Sequence, residues 1–249
     1  MSEHLCREEN CGESIGRRTV MKTALGAAAL FAVGGGGGLS GVAYAASLSK
    51  AQRDAMTPDQ VLAEMAKGNE RFRTGKAMQH DYLAQKRSSA EGQYPSAVVL
   101  SCIDSRAPAE IIMDAGIGET FNSRVAGNVV NDDLLGSMEF ACAVAGAKVV
   151  LVMGHTACGA IKGAIDHVEL GNLTGLLARI RPAIGQTRYD GERSSKNAEF
   201  VDAVARSNVL HTIDQIRKRS DVLAKLENEG RIKIAGAMYH LSGGRLEFL

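Results

Sequence analysis

The sequence predicts an α/β fold: a central, mostly parallel β-sheet of four parallel strands plus an antiparallel C-terminal strand, covered by helices. Three observations predict it. Short apolar, β-branched runs alternate with longer segments of helical apolar spacing, the pattern of strands buried on both faces between crossover helices. Two late strand candidates flank a Ser242-Gly243-Gly244 turn, which sets the last strand antiparallel to its neighbour. The chain of 249 residues is 45% hydrophobic and 23% charged, the composition of an ordinary globular protein rather than a disordered one.

The elements follow in order. Thr57-Pro58-Asp59-Gln60 starts a helix: Thr57 caps it, Pro58 suits the first turn and Gln60 closes a capping box. Val61, Leu62, Met65 and Phe72 recur at helical spacing, and Gly75 ends the segment. Residues 97–100 read as a buried strand running into Ser101-Cys102. Pro108 opens a helix through Asp114, stopped by Gly116 and Gly118. Residues 120–124 form a weaker strand candidate and 132–145 a helix. Residues 148–153, Lys-Val-Val-Leu-Val-Met, are the clearest strand, followed by Gly154-His155. Helices are expected at 158–167, 173–184, 198–218 and 221–228, and strands at 232–239 and 245–248. Residues 46–56 read as a polar leader with no assigned element. No internal repeat or domain linker follows Ala46.

Residues 1–45 are set apart as an export signal. A polar start leads to Gly16-Arg17-Arg18-Thr19-Val20-Met21-Lys22, then to a small, apolar, uncharged stretch, 23–42, that closes on Ala43-Tyr44-Ala45, an A-x-A cleavage pattern. The paired arginines resemble the twin-arginine signal class, and the glycine run at 34–38 gives the weak hydrophobicity of that class. The competing reading is a membrane anchor, since 23–42 is long enough to span a bilayer. The glycine run, the cleavage pattern and the lack of an immediate Lys or Arg stop argue against it. The expectation is export by the twin-arginine machinery to a bacterial periplasm, cleavage after Ala45, no stable membrane anchor, and one domain over 46–249.

Charge and cysteines narrow the function classes. Lys plus Arg number 29 against 28 Asp plus Glu, a net charge of +1 that leaves no basic footprint for nucleic acid. Five cysteines in so long a chain are no disulfide scaffold, and Cys6 and Cys11 fall in the signal. Cys102, Cys142 and Cys158 remain.

Chemistry gathers after two strands: Cys102-Ile103-Asp104-Ser105-Arg106 and His155-Thr156-Ala157-Cys158. Open α/β sheets build sites at the carboxyl ends of strands. Two thiols and an imidazole converging there make a Cys2His set for zinc, with the fourth position left open as in catalytic sites. Singly, a cysteine here is more often a core thiol and a histidine more often a hydrogen-bonded structural residue, and a thiol redox pair competes. Asp104 and Arg106 sharpen the metal reading. A carboxylate beside a guanidinium stays ionised and oriented, and beside zinc it accepts a hydrogen bond from the attacking oxygen or takes the fourth position itself. The bland alternative is a turn-stabilising ion pair.

Cys102-x-Asp104-x-Arg106 with His155-x-x-Cys158-Gly159 resembles the β-class carbonic anhydrases. Asn69-Glu70-Arg71-Phe72, Arg124-Val125-Ala126-Gly127-Asn128, Gly136-Ser137-Met138-Glu139-Phe140 and Ala237-Met238-Tyr239 carry the likeness from about Thr57 to the C-terminus. The resemblance implies one Zn2+ per chain on Cys102, His155 and Cys158, with Asp104 as a fourth ligand in a closed state, and Asp104 and Arg106 as the catalytic dyad. It places Gln93, Phe121, Ala126 and Gly159 at the substrate. It implies reversible hydration of carbon dioxide to bicarbonate by hydroxide generated at zinc, which lowers the pKa of bound water to about 7, and a homodimer or homotetramer whose pockets close across the interface. Departures are Phe140, where many members have Tyr, and the absence of Trp, which speaks against the second bicarbonate site of some members. Cys142 is expected to be buried and inert, and His80, His167, His211 and His240 are all open as proton shuttles. The alternatives are a zinc hydrolase of carbonyl sulfide or carbon disulfide on the same scaffold, and a non-catalytic zinc-binding protein.

Overall fold

The computed structural model describes Tyr44 and residues 46–249. The paired arginines, the apolar stretch and, Tyr44 apart, the rest of the expected export signal lie outside the described residues.

Five strands form one sheet in the order β2-β1-β3-β4-β5. β1 (Ala97–Ser101) lies between β2 (Thr120–Arg124) and β3 (Val149–His155), β3 pairs with β4 (Lys233–Tyr239), and all four run parallel. β5 (Leu246–Phe248) returns antiparallel on β4 through the expected glycine turn. Every residue of β1 and β3 is buried, as their unbroken apolar runs require in a sheet covered on both faces.

One face packs on α9 (Ala198–Arg219), α10 (Asp221–Asn228), α5 (Asp132–Glu139) and α6 (Gly159–Ile165), around Leu100, Val152, Ile161, Phe200 and Val204. The other packs on α2 (Pro58–Arg73) and α4 (Ala109–Ile112), around Val61, Val99, Ile112 and Leu151. Thr57 and Gln60 form the expected capping box of α2. Asn69, buried on α2, donates to the carbonyls of Ile112 (3.1 Å) and Gly244 (2.9 Å) and accepts from the Leu246 N–H (2.8 Å), tying the helix to the hairpin.

Three expectations are corrected. The helix expected at 132–145 is α5 followed by a π-helical turn, Phe140–Val144, closed by Ala145 N–H on the Phe140 carbonyl at 2.9 Å. The wider turn keeps Ala141 and Cys142 inside while Phe140 stands 51% exposed. The helix expected at 173–184 is two, α7 (Gly171–Ala178) and α8 (Arg181–Gln186). Pro182 lacks an N–H, and its ring would strike the Ala178 carbonyl in a continuous helix. The polar leader contains α1 (Lys50–Ala55), started by a Ser49–Gln52 capping box, and α3 (Tyr82–Ser88) occupies a stretch left unassigned. Tyr44, inside the expected signal, touches the fold: its N–H donates to Gln79 O at 2.7 Å, its carbonyl accepts from Asp81 N–H at 3.2 Å, and its ring meets His80 edge-on at 5.8 Å. Among the described residues, no helix is long and apolar enough to cross a membrane.

Candidate metal centre

The sheet brings the two clusters together. β1 ends one residue before Cys102 and β3 ends on His155, so adjacent parallel strands deliver both to the carboxyl edge. Cys158 follows three residues later and caps α6. All three are buried, and Cys102 Sγ, a His155 ring nitrogen and Cys158 Sγ lie within 4.8 Å of one another. Two sulfurs on a tetrahedral zinc stand about 3.8 Å apart, so the spacing suits the ion.

The local hydrogen bonds fit the same purpose. His155 Nδ1 lies 2.9 Å from the Thr156 carbonyl, to which it can only donate. That fixes the tautomer and leaves Nε2 as a lone-pair donor. Nε2 is buried with no hydrogen-bond partner, an arrangement that disfavours a purely structural histidine. Cys102 Sγ accepts the Gly127 N–H at 3.3 Å. The neighbouring Cys158 thiol draws the Cys102 thiol down against the cost of burial, and the Gly127 N–H adds to it. Cys158 is pushed up because it keeps the shared proton beside that thiolate and is itself buried. A borderline-soft dication would displace the thiol protons and bind both sulfurs as thiolates. The donor set fits zinc.

Asp104 borders this group. Its Oδ1 accepts from the Arg106 backbone N–H and Nε, both at 2.9 Å, and its Oδ2 from an Arg106 terminal nitrogen at 2.7 Å. The forked pair holds the Asp104 carboxyl well below the usual carboxylate range. Asp104 Oδ2 is 3.7 Å from His155 Nε2. Arg124, at the end of β2, clamps the loop by donating to the carbonyls of Cys102 (2.9 Å) and Asp104 (2.5 Å).

The other expected site residues divide. Ala126 opens the turn whose Gly127 N–H reaches Cys102, and Gly159 is the exposed first residue of α6 with open space where a Cβ would stand. Gln93 and Phe121 are not brought to this centre within one chain. Gln93 lies exposed in the loop entering β1, separated from Cys102 by the whole strand, about 16 Å. Phe121 pairs with Val98 and meets the Phe140 ring edge-on at 6.2 Å in an open cleft on the β2 side. Cys142 is buried as expected, and desolvation pushes its thiol up to about 12.

Sequence reasoning missed Arg124 and the Gly127 N–H beside the centre, and behind them Asp202, which accepts the Ala157 N–H at 2.8 Å, and Asn208, which donates to the Gly127 carbonyl at 2.7 Å. Asn208 had a usable signal: a polar residue on the apolar face of a helix, beside Val201, Val204, Ala205 and Val209.

Comparison with known proteins agrees with this geometry. The family model described as carbonic anhydrase matches residues 97–246. Carbonic anhydrase 2 of Mycobacterium tuberculosis is 34% identical over 187 residues, 73% of this chain and 87% of that protein. The carbonic anhydrase of Pseudomonas aeruginosa is 29% identical over 66% of this chain and 77% of its own. A β-carbonic anhydrase structure from Aspergillus fumigatus superposes with a TM-score of 0.59 at 28% identity, covering 77% of this chain and 91% of that one. A tetrameric one from Sordaria macrospora gives 0.61 at 22% identity, covering 76% and 97%.

Proposed function

The chain belongs to the carbonic anhydrase family, in its β-class, and is a zinc enzyme of carbon dioxide hydration; on that premise we propose how its residues work, how it assembles and where it acts. The observation that carries the activity is the buried Cys102–His155–Cys158 group with the Asp104–Arg106 fork beside it.

Cys102, His155 and Cys158 hold the zinc, which supplies a Lewis acid able to ionise water near neutral pH. Asp104 stays a carboxylate because Arg106 donates to both its oxygens, so it acts as a hydrogen-bond acceptor that orients the attacking water. The same fork would keep Asp104 from ligating the metal itself. Ala126 and the Gly159 N–H border the substrate. The fork favours an enzyme over a non-catalytic zinc protein, since structural zinc needs no such pair. The named relatives favour carbon dioxide over its sulfur analogues. Hydration of carbon dioxide by the zinc-loaded protein is the direct test.

The chain works as a homodimer or homotetramer, with Gln93 and Phe121 of one copy completing the pocket of the next. In support, β2 is the open edge of the sheet, Phe140 stands 51% exposed at a cleft of about 740 Å³ beside it, and Val144 is 73% exposed. Phe140→Asp should convert the sedimenting dimer or tetramer to monomer. A wild-type monomer, or an unchanged assembly in the variant, would contradict this.

The protein is exported by the twin-arginine route to a periplasm, with cleavage after Ala45. That route carries folded proteins, so zinc loads before Cys102 and Cys158 meet an oxidising compartment. Support comes from Arg17-Arg18, the weakly apolar stretch and Ala43-Tyr44-Ala45. Replacing both arginines with lysine should retain the protein in the cytoplasm, and unchanged export on fractionation would refute it.

A further inference from the structure

We propose that two side chains of α9, Asp202 and Asn208, are positioning residues that pre-set the zinc ligands by fixing two left-handed backbone positions, Ala157 and Gly127. The proposal rests on Cys102, His155 and Cys158 holding zinc.

Ala157 stands between two ligands, His155 and Cys158, at φ 54°. A residue with a Cβ resists that conformation, and Ala157 is exposed, so burial does not impose it. Its N–H donates to Asp202 Oδ1 at 2.8 Å. The preceding residue is anchored as well: Thr156 N–H donates to the Tyr239 carbonyl and Thr156 Oγ1 accepts the Leu241 N–H, both at 3.0 Å. The ligand-bearing turn is therefore held to β4 on one side and to α9 on the other.

Gly127 does the equivalent work for Cys102. At φ 70° and ψ 19° it aims its N–H at Cys102 Sγ. Its carbonyl accepts Asn208 Nδ2 at 2.7 Å. Asn208 is fully buried among Val204, Ala205 and Val209, where an apolar residue would pack at no polar cost. Its Oδ1 finds no partner among the described residues, so the amide is retained for its donor. Asp202 and Asn208 lie about 9 Å apart along one helix. α9 thereby registers the ligand that follows β1, the one that ends β3 and the one just beyond it to a single rigid body. Outer-shell partners of metal ligands commonly act in this way.

The test is zinc release from the loaded, full-length protein into a chromogenic chelator, together with the visible spectrum of the cobalt-substituted form. Asp202→Ala should release zinc about 10-fold faster, while Asp202→Asn, which keeps an accepting oxygen, should stay near wild type. The double variant Asp202→Ala with Ala157→Gly should recover slow release, because glycine takes the left-handed conformation freely. Asn208→Ala should shift the thiolate-to-cobalt band, since Cys102 loses an aligned donor. Wild-type release from Asp202→Ala, or a double variant as fast as Asp202→Ala, overturns the proposal. So does an unshifted cobalt band in a folded Asn208→Ala. Should that variant not fold, the Asp202 series decides alone. A wild-type chain without zinc would instead overturn the metal assignment.

Discussion

Cys102→Ala is expected to give a folded chain that binds no zinc and hydrates carbon dioxide no faster than buffer. Three protein donors are the minimum for a catalytic zinc site, and removing one leaves a buried imidazole and a single thiol. The fold should survive, because alanine keeps the Cβ and the flanking strand β1 is fully buried by its own apolar residues. Zinc per chain by atomic absorption should fall from about one to near zero, with an unchanged far-ultraviolet circular dichroism spectrum. The same variant separates the two chemistries a Cys102–Cys158 pair supports. If the thiols were a redox couple, the substitution would change the reactive thiol count and leave bound zinc untouched. Retained zinc with full activity would contradict the ligand assignment.

Arg106→Ala is expected to do the reverse, keeping zinc and losing turnover by about 100-fold or more. Arg106 touches none of the three ligands; it holds Asp104 through three hydrogen bonds of 2.7 to 2.9 Å. Only one of those, from the backbone N–H to Oδ1, outlives truncation. Asp104 Oδ2, already 3.7 Å from His155 Nε2, is then free to take the fourth position and close the site. Arg106→Lys should rescue poorly, since a single ammonium cannot fork onto both carboxylate oxygens. Near-normal hydration by Arg106→Ala would show that the fork is only a turn-stabilising ion pair.

What the sequence made legible follows from how local each signal is. Apolar runs at 97–100 and 148–153 announced strands because a sheet covered on both faces needs them continuous. The ligands were legible because they stand at those strands' ends, where topology alone converges them. The break before Pro182 was readable in principle from its missing N–H. The π-helical turn was not: an extra backbone residue leaves the apolar pattern of 132–145 intact and shows only as the exposure of Phe140. Nor were the supports of the centre, beyond the signal of Asn208 as a polar residue on the apolar face of its helix. Asp202 and Asn208 act through backbone atoms of Ala157 and Gly127, and a hydrogen bond between a helix and a distant turn leaves no spacing to read. Gln93 and Phe121 show a different limit. Their implied place at the substrate depends on a second copy of the chain, and one chain folds them away from its own Cys102.

The central claim, that this Cys102–His155–Cys158 centre with its Asp104–Arg106 fork hydrates carbon dioxide, is tested most directly by stopped-flow hydration on the zinc-loaded protein from neutral to mildly alkaline pH. A rate well above the buffer background, lost on chelation and restored by zinc, is the predicted result. A fully zinc-loaded protein with no rate above background anywhere in that range would contradict it.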